Sequence, residues 1–261
     1  MEENNLTKFK LFLMVAIYFV TTSIAAFAFG ILQPHIGVPT VIIQFTQFGP
    51  TIGVLVIALI FFKQRGWSVS YGLGFTPIVL RRLLVVIAMV VVIFAISIIW
   101  FQITGNQVDY KHPFSLSEPF WIIIIAQFIG AAGEEFGWRC FLQPLLQSRF
   151  SVTVTSIIVG LLWGVWHVGI FAEGWLYTLS FLLFTVSISL ILGELLRKTN
   201  GSNLIIATLF HTLINLGLLL FFKEESGNVV AMATTAVACF IVAVAIIWIH
   251  AIRSKSSSKD T

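Results

Sequence analysis

Two adjacent glutamates, Glu134 and Glu135, lie inside an apolar stretch long enough to enter a membrane, and Arg139 follows four residues after the second. An ionisable side chain at the centre of a bilayer costs about 2.5 to 3.5 kcal/mol on insertion scales. Neighbouring carboxylates also repel each other, and a single arginine neutralises only one of them. The pair therefore indicates a chemical role rather than an ion pair that only fixes helix packing.

Two later apolar segments carry further polar residues at a spacing of four. His167 follows Trp163 by four positions, and Asn215 follows His211 by the same interval. Residues at i and i+4 share one face of a helix. An indole should therefore lie beside the first imidazole, and the amide should point the same way as the second. The three segments could bring all these groups to one depth near the membrane midplane.

The local spacing also gives the two acids different surroundings. Glu135 and Arg139 should form an ion pair on one helix face, whereas Glu134 lies about 100° around the helix and can meet other neighbours. Small residues recur on the same helix and let another helix approach closely; they are Gly130, Gly133 and Gly137.

An acid, two imidazoles and an amide in a dry cavity suit water-dependent acyl transfer. A carboxylate can accept a proton from water, and a histidine can hold that water or protonate a leaving amine. His211 and Asn215 can donate hydrogen bonds to a developing oxyanion. No Ser or Cys stands in an obvious nucleophile position, and the sequence has no HExxH motif.

The composition is that of an integral membrane protein. Of 261 residues, 58% are hydrophobic and 10% are charged, whereas a soluble domain averages about 25% charged. A spanning helix needs about 20 apolar residues, and the sequence predicts an all-α, polytopic bundle of about eight such helices. We find no internal repeat and expect one membrane domain over residues 1–261, with a core at about 119–222. The predicted spans are 10–32, 40–62, 83–103, 119–150, 152–172, 175–196, 202–222 and 229–252.

Lysine and arginine predict the orientation of the chain. With both termini cytoplasmic, Lys111 and Lys223 are the only two of the 15 basic residues on outer segments. We therefore expect a multi-pass protein of the cell membrane. Its formal net charge of +4 describes a cytoplasmic rim and does not indicate nucleic-acid binding. Cys140 and Cys239 form no CxxC pair and are expected to be small buried side chains.

The three motifs together resemble a known family. Glu134-Glu135-x-x-x-Arg139, then an aromatic residue four positions before His167, then His211-x-x-x-Asn215 are similar to the motifs of the CPBP intramembrane proteases. These include type II CAAX prenyl endopeptidases and proteins of bacteriocin processing or immunity. The resemblance covers residues 130–218, about a third of the chain. The family often has Phe where this chain has Trp163.

The resemblance implies a role for each motif residue. Glu134 would activate water with help from His167, and His211 with Asn215 would stabilise the oxyanion. Glu135 and Arg139 would support the site.

The motif residues leave two choices on metal. Glu134, His167 and His211 could bind zinc, since a glutamate and two histidines are a known ligand set. A glutamate-only mechanism needs no ion, and the pairing of His211 with an asparagine favours it. We therefore expect no cofactor, with zinc as the alternative.

Two other classes of function compete with a peptidase. A proton-coupled transporter also relays protons through acids and histidines, but should show inverted repeats and paired broken helices, which the sequence does not reveal. A non-catalytic membrane scaffold or immunity protein could keep the same fold. As a peptidase, the protein would act on a membrane-anchored peptide or protein in the lipid bilayer, by CAAX-type processing or on bacterial pheromone and bacteriocin leaders. The sequence does not choose among these substrates.

Overall fold

The computed structural model describes residues 6–63, 67–199, 201, 203–222 and 227–257. Ser202, where the seventh span was predicted to begin, and Lys223, a predicted outer residue, lie outside these ranges. Within them the regular structure is helical and contains no β-strand. The predicted all-α class is confirmed.

Nine α-helices fall within the described ranges, joined by shorter 3₁₀ and π segments. The α-helices are α1 (Lys8–Ile36), α2 (Gly49–Ile60), α3 (Pro77–Ile103), α4 (Phe120–Gly137), α5 (Gln143–Gln147), α6 (Val152–Trp166), α7 (Trp175–Leu195), α8 (Asn203–Phe221) and α9 (Val229–Ser257). The 3₁₀ segments are Phe45–Phe48, Pro113–Ser115 and Val168–Glu173, and a π-helical turn covers Trp138–Leu142.

Six helical segments are long and apolar enough to cross a bilayer, which confirms a multi-pass membrane protein. They are Lys8–Ile36, Pro77–Ile103, Phe120–Gln147, Trp175–Leu195, Asn203–Phe221 and Val229–Arg253. Two shorter apolar helices, Phe45–Ile60 and Val152–Trp166, occupy the other two predicted positions. All eight predicted apolar segments are therefore helical, although two are too short to be counted as full crossings.

The two shorter helices correct the prediction of regular spans over 40–62 and 152–172. α2 has 12 residues and α6 has 15, or about 18 and 22 Å at 1.5 Å per residue, against a hydrocarbon core of about 30 Å. Pro50 stands in the first turn of α2, where its ring prevents a regular helix from extending backwards. Gly174, at φ 88°, ends the 3₁₀ segment that follows α6.

Side-chain caps and a glycine mark three of the helix ends. Thr7 Oγ1 accepts a hydrogen bond from Lys10 N at the start of α1, and Ser151 Oγ accepts one from Val154 N at the start of α6. α1 ends at Gly37, whose φ of 75° is open to glycine at little cost. These contacts satisfy backbone groups that apolar surroundings would leave unpaired.

The helix that carries the acids changes its winding just after them. α4 passes through the π turn into α5, so the segment is helical from Phe120 to Gln147. Pro144 lies in the first turn of α5. Asn203 Nδ2 donates to the carbonyl of Arg139 at 3.2 Å, and Ser70 N donates to that of Cys140 at 2.8 Å. Groups outside the helix thus satisfy carbonyls of the widened turn.

The chain forms two compact units, each assembled from three separate stretches. Unit 1 comprises 1–80, 112–150 and 198–216, and unit 2 comprises 81–111, 151–197 and 217–261. Unit 1 contains α1, α2, α4, α5 and most of α8. Unit 2 contains most of α3 together with α6, α7 and α9. Because the stretches alternate along the chain, the units are not consecutive domains, and a single domain over 1–261 stays a prediction.

Candidate active site

Glu135 lies at the centre of a buried charged cluster in unit 1. Its Oε1 is 3.2 Å from Arg139 Nη1 and 2.7 Å from Nδ1 of His211 on α8. The predicted i, i+4 ion pair is confirmed, and both of its side chains are fully buried. Arg139 therefore compensates the charge of Glu135 where no bulk water reaches it.

His211 meets the second glutamate of the pair. Because the carboxylate can only accept, the Nδ1 of His211 must carry the hydrogen of this contact, and in the neutral ring Nε2 then has no hydrogen. The sequence placed His211 near both acids without distinguishing them. The structure assigns this contact to Glu135.

Glu134 has a different neighbour, as predicted from its position on the helix. Gln47, in the 3₁₀ segment before α2, donates from Nε2 to Glu134 Oε1 at 3.2 Å. Both side chains are buried. This donor is a neutral amide, so the two adjacent acids contact groups of different charge.

The glycines of α4 allow these elements to approach closely, which confirms their predicted role. A Cβ at Gly130 would lie 2.1 Å from Gln47 Oε1, and one at Gly137 would lie 2.3 Å from Tyr18 Oη. Thr51 Oγ1 on α2 also donates to the carbonyl of Gly133 at 2.7 Å. α1, α2 and the 3₁₀ segment therefore pack against the face of α4 that any larger residue would obstruct.

Asn215 contacts α4 one turn of α8 beyond His211. Its Nδ2 donates to Gln127 Oε1 at 3.2 Å, and the side chain is half-buried. An amide nitrogen carries two hydrogens, so this bond leaves one for a further acceptor. Together with His211, Asn215 gives α8 two polar contacts along α4.

His167 belongs to unit 2 and lies just after the end of α6. It is the C-cap of that helix rather than an interior residue. Its Nδ1 is 2.8 Å from the carbonyl oxygen of Trp163, so Nδ1 carries the hydrogen of this bond. The predicted indole neighbour is confirmed, with the Trp163 and His167 rings 5.7 Å apart, and Trp166 and Phe181 also contact the imidazole. That His167 shares a depth with the acids stays a prediction.

The segment that carries these residues is similar in sequence to a known protein family. Residues 116–217 match the model of the family described as "Type II CAAX prenyl endopeptidase Rce1-like". This segment is similar to that family. The predicted resemblance to the CPBP proteases is confirmed, and the family is one of membrane peptidases. The match includes all six motif residues, and its limits are close to the predicted core at 119–222.

Relatives of the whole chain come from Staphylococcus aureus. "Lysostaphin resistance protein A" of strain bovine RF122 / ET3-1 is 29% identical over 248 residues, covering 94% of this chain. The proteins of the same name from strains Newman and USA300 show the same identity and coverage. The chain spans 58% of the length of these relatives.

Two glutamines of this site were not among the predicted residues. They are Gln47 and Gln127. Both lie in strongly apolar sequence, where an amide needs a hydrogen-bond partner. That requirement was the available signal, but it does not identify the partner.

The alternative zinc site was predicted from Glu134, His167 and His211. In the part of the chain that the structure describes, no three His, Cys, Asp or Glu side chains come together as a metal ion requires. The Nδ1 of His211 is directed at Glu135, and a carboxylate on Nδ1 also accompanies histidines that bind zinc through Nε2. Both alternatives, no cofactor and zinc, stay predictions, and no step below involves a metal ion.

Proposed function

We propose that this protein is an intramembrane endopeptidase that hydrolyses membrane-anchored peptides or proteins with water activated by Glu134. The observation that carries the proposal is the difference between the adjacent acids within a segment that matches a peptidase family. Glu135 contacts Arg139 and His211, and Glu134 accepts from the neutral amide of Gln47. A general base must take up a proton, and a carboxylate that contacts an amide suits this better than one held by a guanidinium.

Each polar residue has a role in one step of hydrolysis. Glu134 takes a proton from water while the water oxygen attacks the scissile carbonyl carbon. Glu134 then gives that proton to the leaving amine. The amide of Asn215 has a hydrogen to offer the oxyanion while its other hydrogen contacts Gln127. His167 assists the water through Nε2, since Nδ1 is bonded to a backbone carbonyl.

Glu135 contributes by supporting His211 in this mechanism. For Nε2 of His211 to donate to an oxyanion, the ring must carry both hydrogens and therefore a positive charge. The carboxylate of Glu135, 2.7 Å from Nδ1, stabilises that charge, as an aspartate does beside a catalytic histidine. Arg139, 3.2 Å from Glu135 Oε1, completes this charged cluster.

The substrates are proposed to be lipid-anchored or hydrophobic peptides that reach the site from the bilayer. We propose that both termini are cytoplasmic and that substrates enter from the inner leaflet. CAAX-type tails are proposed from the family description, and leaders of bacterial pheromone or bacteriocin peptides are the alternative.

The name of the staphylococcal relatives favours a second candidate, a resistance or immunity role without catalysis. A proton-coupled transporter is less favoured. The lack of broken helices no longer counts against it, because α2 and α6 are both short. A 3₁₀ segment precedes α2, and another follows α6. The family match favours the peptidase over the transporter.

The test is cleavage of quenched-fluorescent peptides, both farnesylated CAAX peptides and a library with an acyl anchor, by purified protein in vesicles. Glu134→Gln keeps the shape of the side chain and removes the base. We expect it to lower kcat by about 10²- to 10⁴-fold. Glu118→Gln, a change outside the site, is the matched control. Cleavage by Glu134→Gln within a few-fold of wild type would refute the assignment of Glu134 as the base. Lysostaphin resistance conferred by a variant that cleaves no peptide would favour the second candidate.

A further inference from the structure

The amide of Gln47 is held at both ends. Its Nε2 donates to Glu134 Oε1 at 3.2 Å, and its Oε1 accepts from the backbone N of Gln44 at 3.4 Å. The oxygen end of an amide can only accept and the nitrogen end can only donate. The bond to Gln44 therefore turns the donor end towards the carboxylate. Only 6% of Gln47 is exposed, so little water competes for these bonds.

A second glutamine holds the backbone from which Gln47 extends. Gln33, buried near the end of α1, donates from Nε2 to the carbonyl of Ile43 at 2.7 Å. Its Oε1 accepts from Phe45 N at 2.8 Å. These bonds fix the chain on both sides of Gln44 and with it the start of the 3₁₀ segment.

Gly130 provides the space that the Gln47 amide occupies. A Cβ at position 130 would lie 2.1 Å from Oε1, 2.7 Å from Cδ and 3.2 Å from Nε2, all of Gln47. Gly130 lies one helical turn before Glu134, on the same face of α4. The three heavy atoms nearest to such a Cβ therefore all belong to the Gln47 amide, which would have to move to admit a larger residue.

We propose that Gln47 is a positioning residue for the base, which aims the Glu134 carboxylate at the hydrolytic water, and that Gly130 is required to admit it. The inference rests on the proposed role of Glu134. A fixed donor on Oε1 limits rotation of the carboxyl group, so the second oxygen keeps one direction. A misplacement of about 1 Å at such a group can lower the rate by about 10²-fold.

The two positions allow a test by epistasis with the peptide assay. We expect Gln47→Ala to lower kcat by about 10- to 100-fold with KM unchanged. Gly130→Ala should lower kcat similarly, because the new methyl group displaces the amide. Gly130→Ala should have no further effect in a Gln47→Ala background, where the side chain that it would meet is absent. Gln102→Ala, an exposed glutamine of α3, is the matched control, and the Tm of each variant is measured alongside.

The outcomes separate this inference from the proposed function. An inactive Glu134→Gln combined with wild-type kcat in Gln47→Ala would overturn the inference alone. Additive losses in the double variant, or a raised KM together with a lower Tm and an unchanged kcat, would overturn it in favour of a structural role. Full activity of Glu134→Gln would overturn the function itself.

Discussion

The adjacent carboxylates of Glu134 and Glu135 form hydrogen bonds with different residues. Glu135 contacts a guanidinium and an imidazole, while Glu134 accepts from an amide. The cause is helical geometry, because successive side chains point about 100° apart. One acid therefore faces α8 and its own helix, and the other faces the segment before α2. This difference supports separate tasks, proton transfer for Glu134 and charge support for Glu135.

Removal of Arg139 should unfold the site rather than only inactivate it. Arg139→Ala leaves the buried carboxylate of Glu135 without its guanidinium, and breaking a buried ion pair costs about 3 to 5 kcal/mol. We expect less folded protein and a lower Tm in detergent, measured by fluorescence-detected chromatography after heating. Arg253→Ala, at an exposed position, should leave the Tm unchanged. A stable but inactive Arg139→Ala would make Arg139 a substrate contact instead.

Asn215 should affect the chemical step more than binding. The loss of one oxyanion donor typically lowers kcat by about 10²- to 10³-fold, and we expect this for Asn215→Ala with little change in KM. Gln127→Ala removes the partner that orients the amide and should have a smaller effect in the same direction. Steady-state kinetics on the anchored peptides provide the measurement. A larger loss for Gln127→Ala than for Asn215→Ala would contradict the oxyanion role.

At the scale of elements, irregular backbone adjoins two site residues. Gln47 lies in the 3₁₀ segment before α2, and His167 caps α6 where another 3₁₀ segment begins. Irregular backbone at membrane depth is tolerated where protein or a water-filled cavity satisfies its polar groups. Here Gln33 satisfies backbone groups near the first segment. A shortened helix therefore adjoins Gln47 in unit 1, and another adjoins His167 in unit 2.

The close packing of α1 and α2 against the end of α4 requires the absence of a Cβ at Gly137. An alanine at position 137 would place its Cβ 2.3 Å from Tyr18 Oη and 2.4 Å from Pro50 Cβ. We expect Gly137→Ala to destabilise the protein by about 1 to 3 kcal/mol through overpacking, seen as a lower Tm. Gly169→Ala, where a Cβ meets nothing within 4 Å, should be neutral. Equal Tm values for the two variants would contradict this packing.

Over the whole molecule, the apolar surface is spread unevenly among the helices. The most hydropathic windows of α1 and α3 are only 28% buried, whereas those of α7, α8 and α9 are 56% buried. Large side chains such as Phe12, Phe27 and Val91 are exposed on the first two. In water this surface would promote aggregation, but in a bilayer it contacts lipid at no such cost. The acidic and basic site residues lie away from it.

The proposed orientation can be tested by thiol labelling of intact cells. Cys140 and Cys239 are both fully buried, so background reaction should be low. Phe114 is 93% exposed between α3 and α4, and a membrane-impermeant maleimide should label Phe114→Cys from outside. Lys8→Cys should be labelled only after permeabilisation. The reverse pattern would invert the topology and with it the proposed entry of substrates from the inner leaflet.

The sequence by itself determined the features that follow from local periodicity and transfer energy. Apolar runs of bilayer length are helical because every backbone group must be satisfied without water. The i, i+4 spacing determined the Glu135–Arg139 pair and the contact of Trp163 with His167, because both lie within one helical turn of the chain. Three motifs in order also identified the family, since each residue type has a chemical reason to lie in a membrane.

Only the tertiary structure decided which partner each polar group meets across distant segments. His211 contacts Glu135, 76 positions away, and Gln47 contacts Glu134, 87 positions away. No local pattern specifies such pairs, because they depend on the rotation and depth of packed helices. The change from 3₁₀ to α-helix at α2 and from α-helix to 3₁₀ after α6 could not be predicted either. Hydropathy gives the length of an apolar segment but not the type of helix that it forms. Gln47 was therefore not among the predicted site residues, and the fold places its amide 3.2 Å from the proposed base.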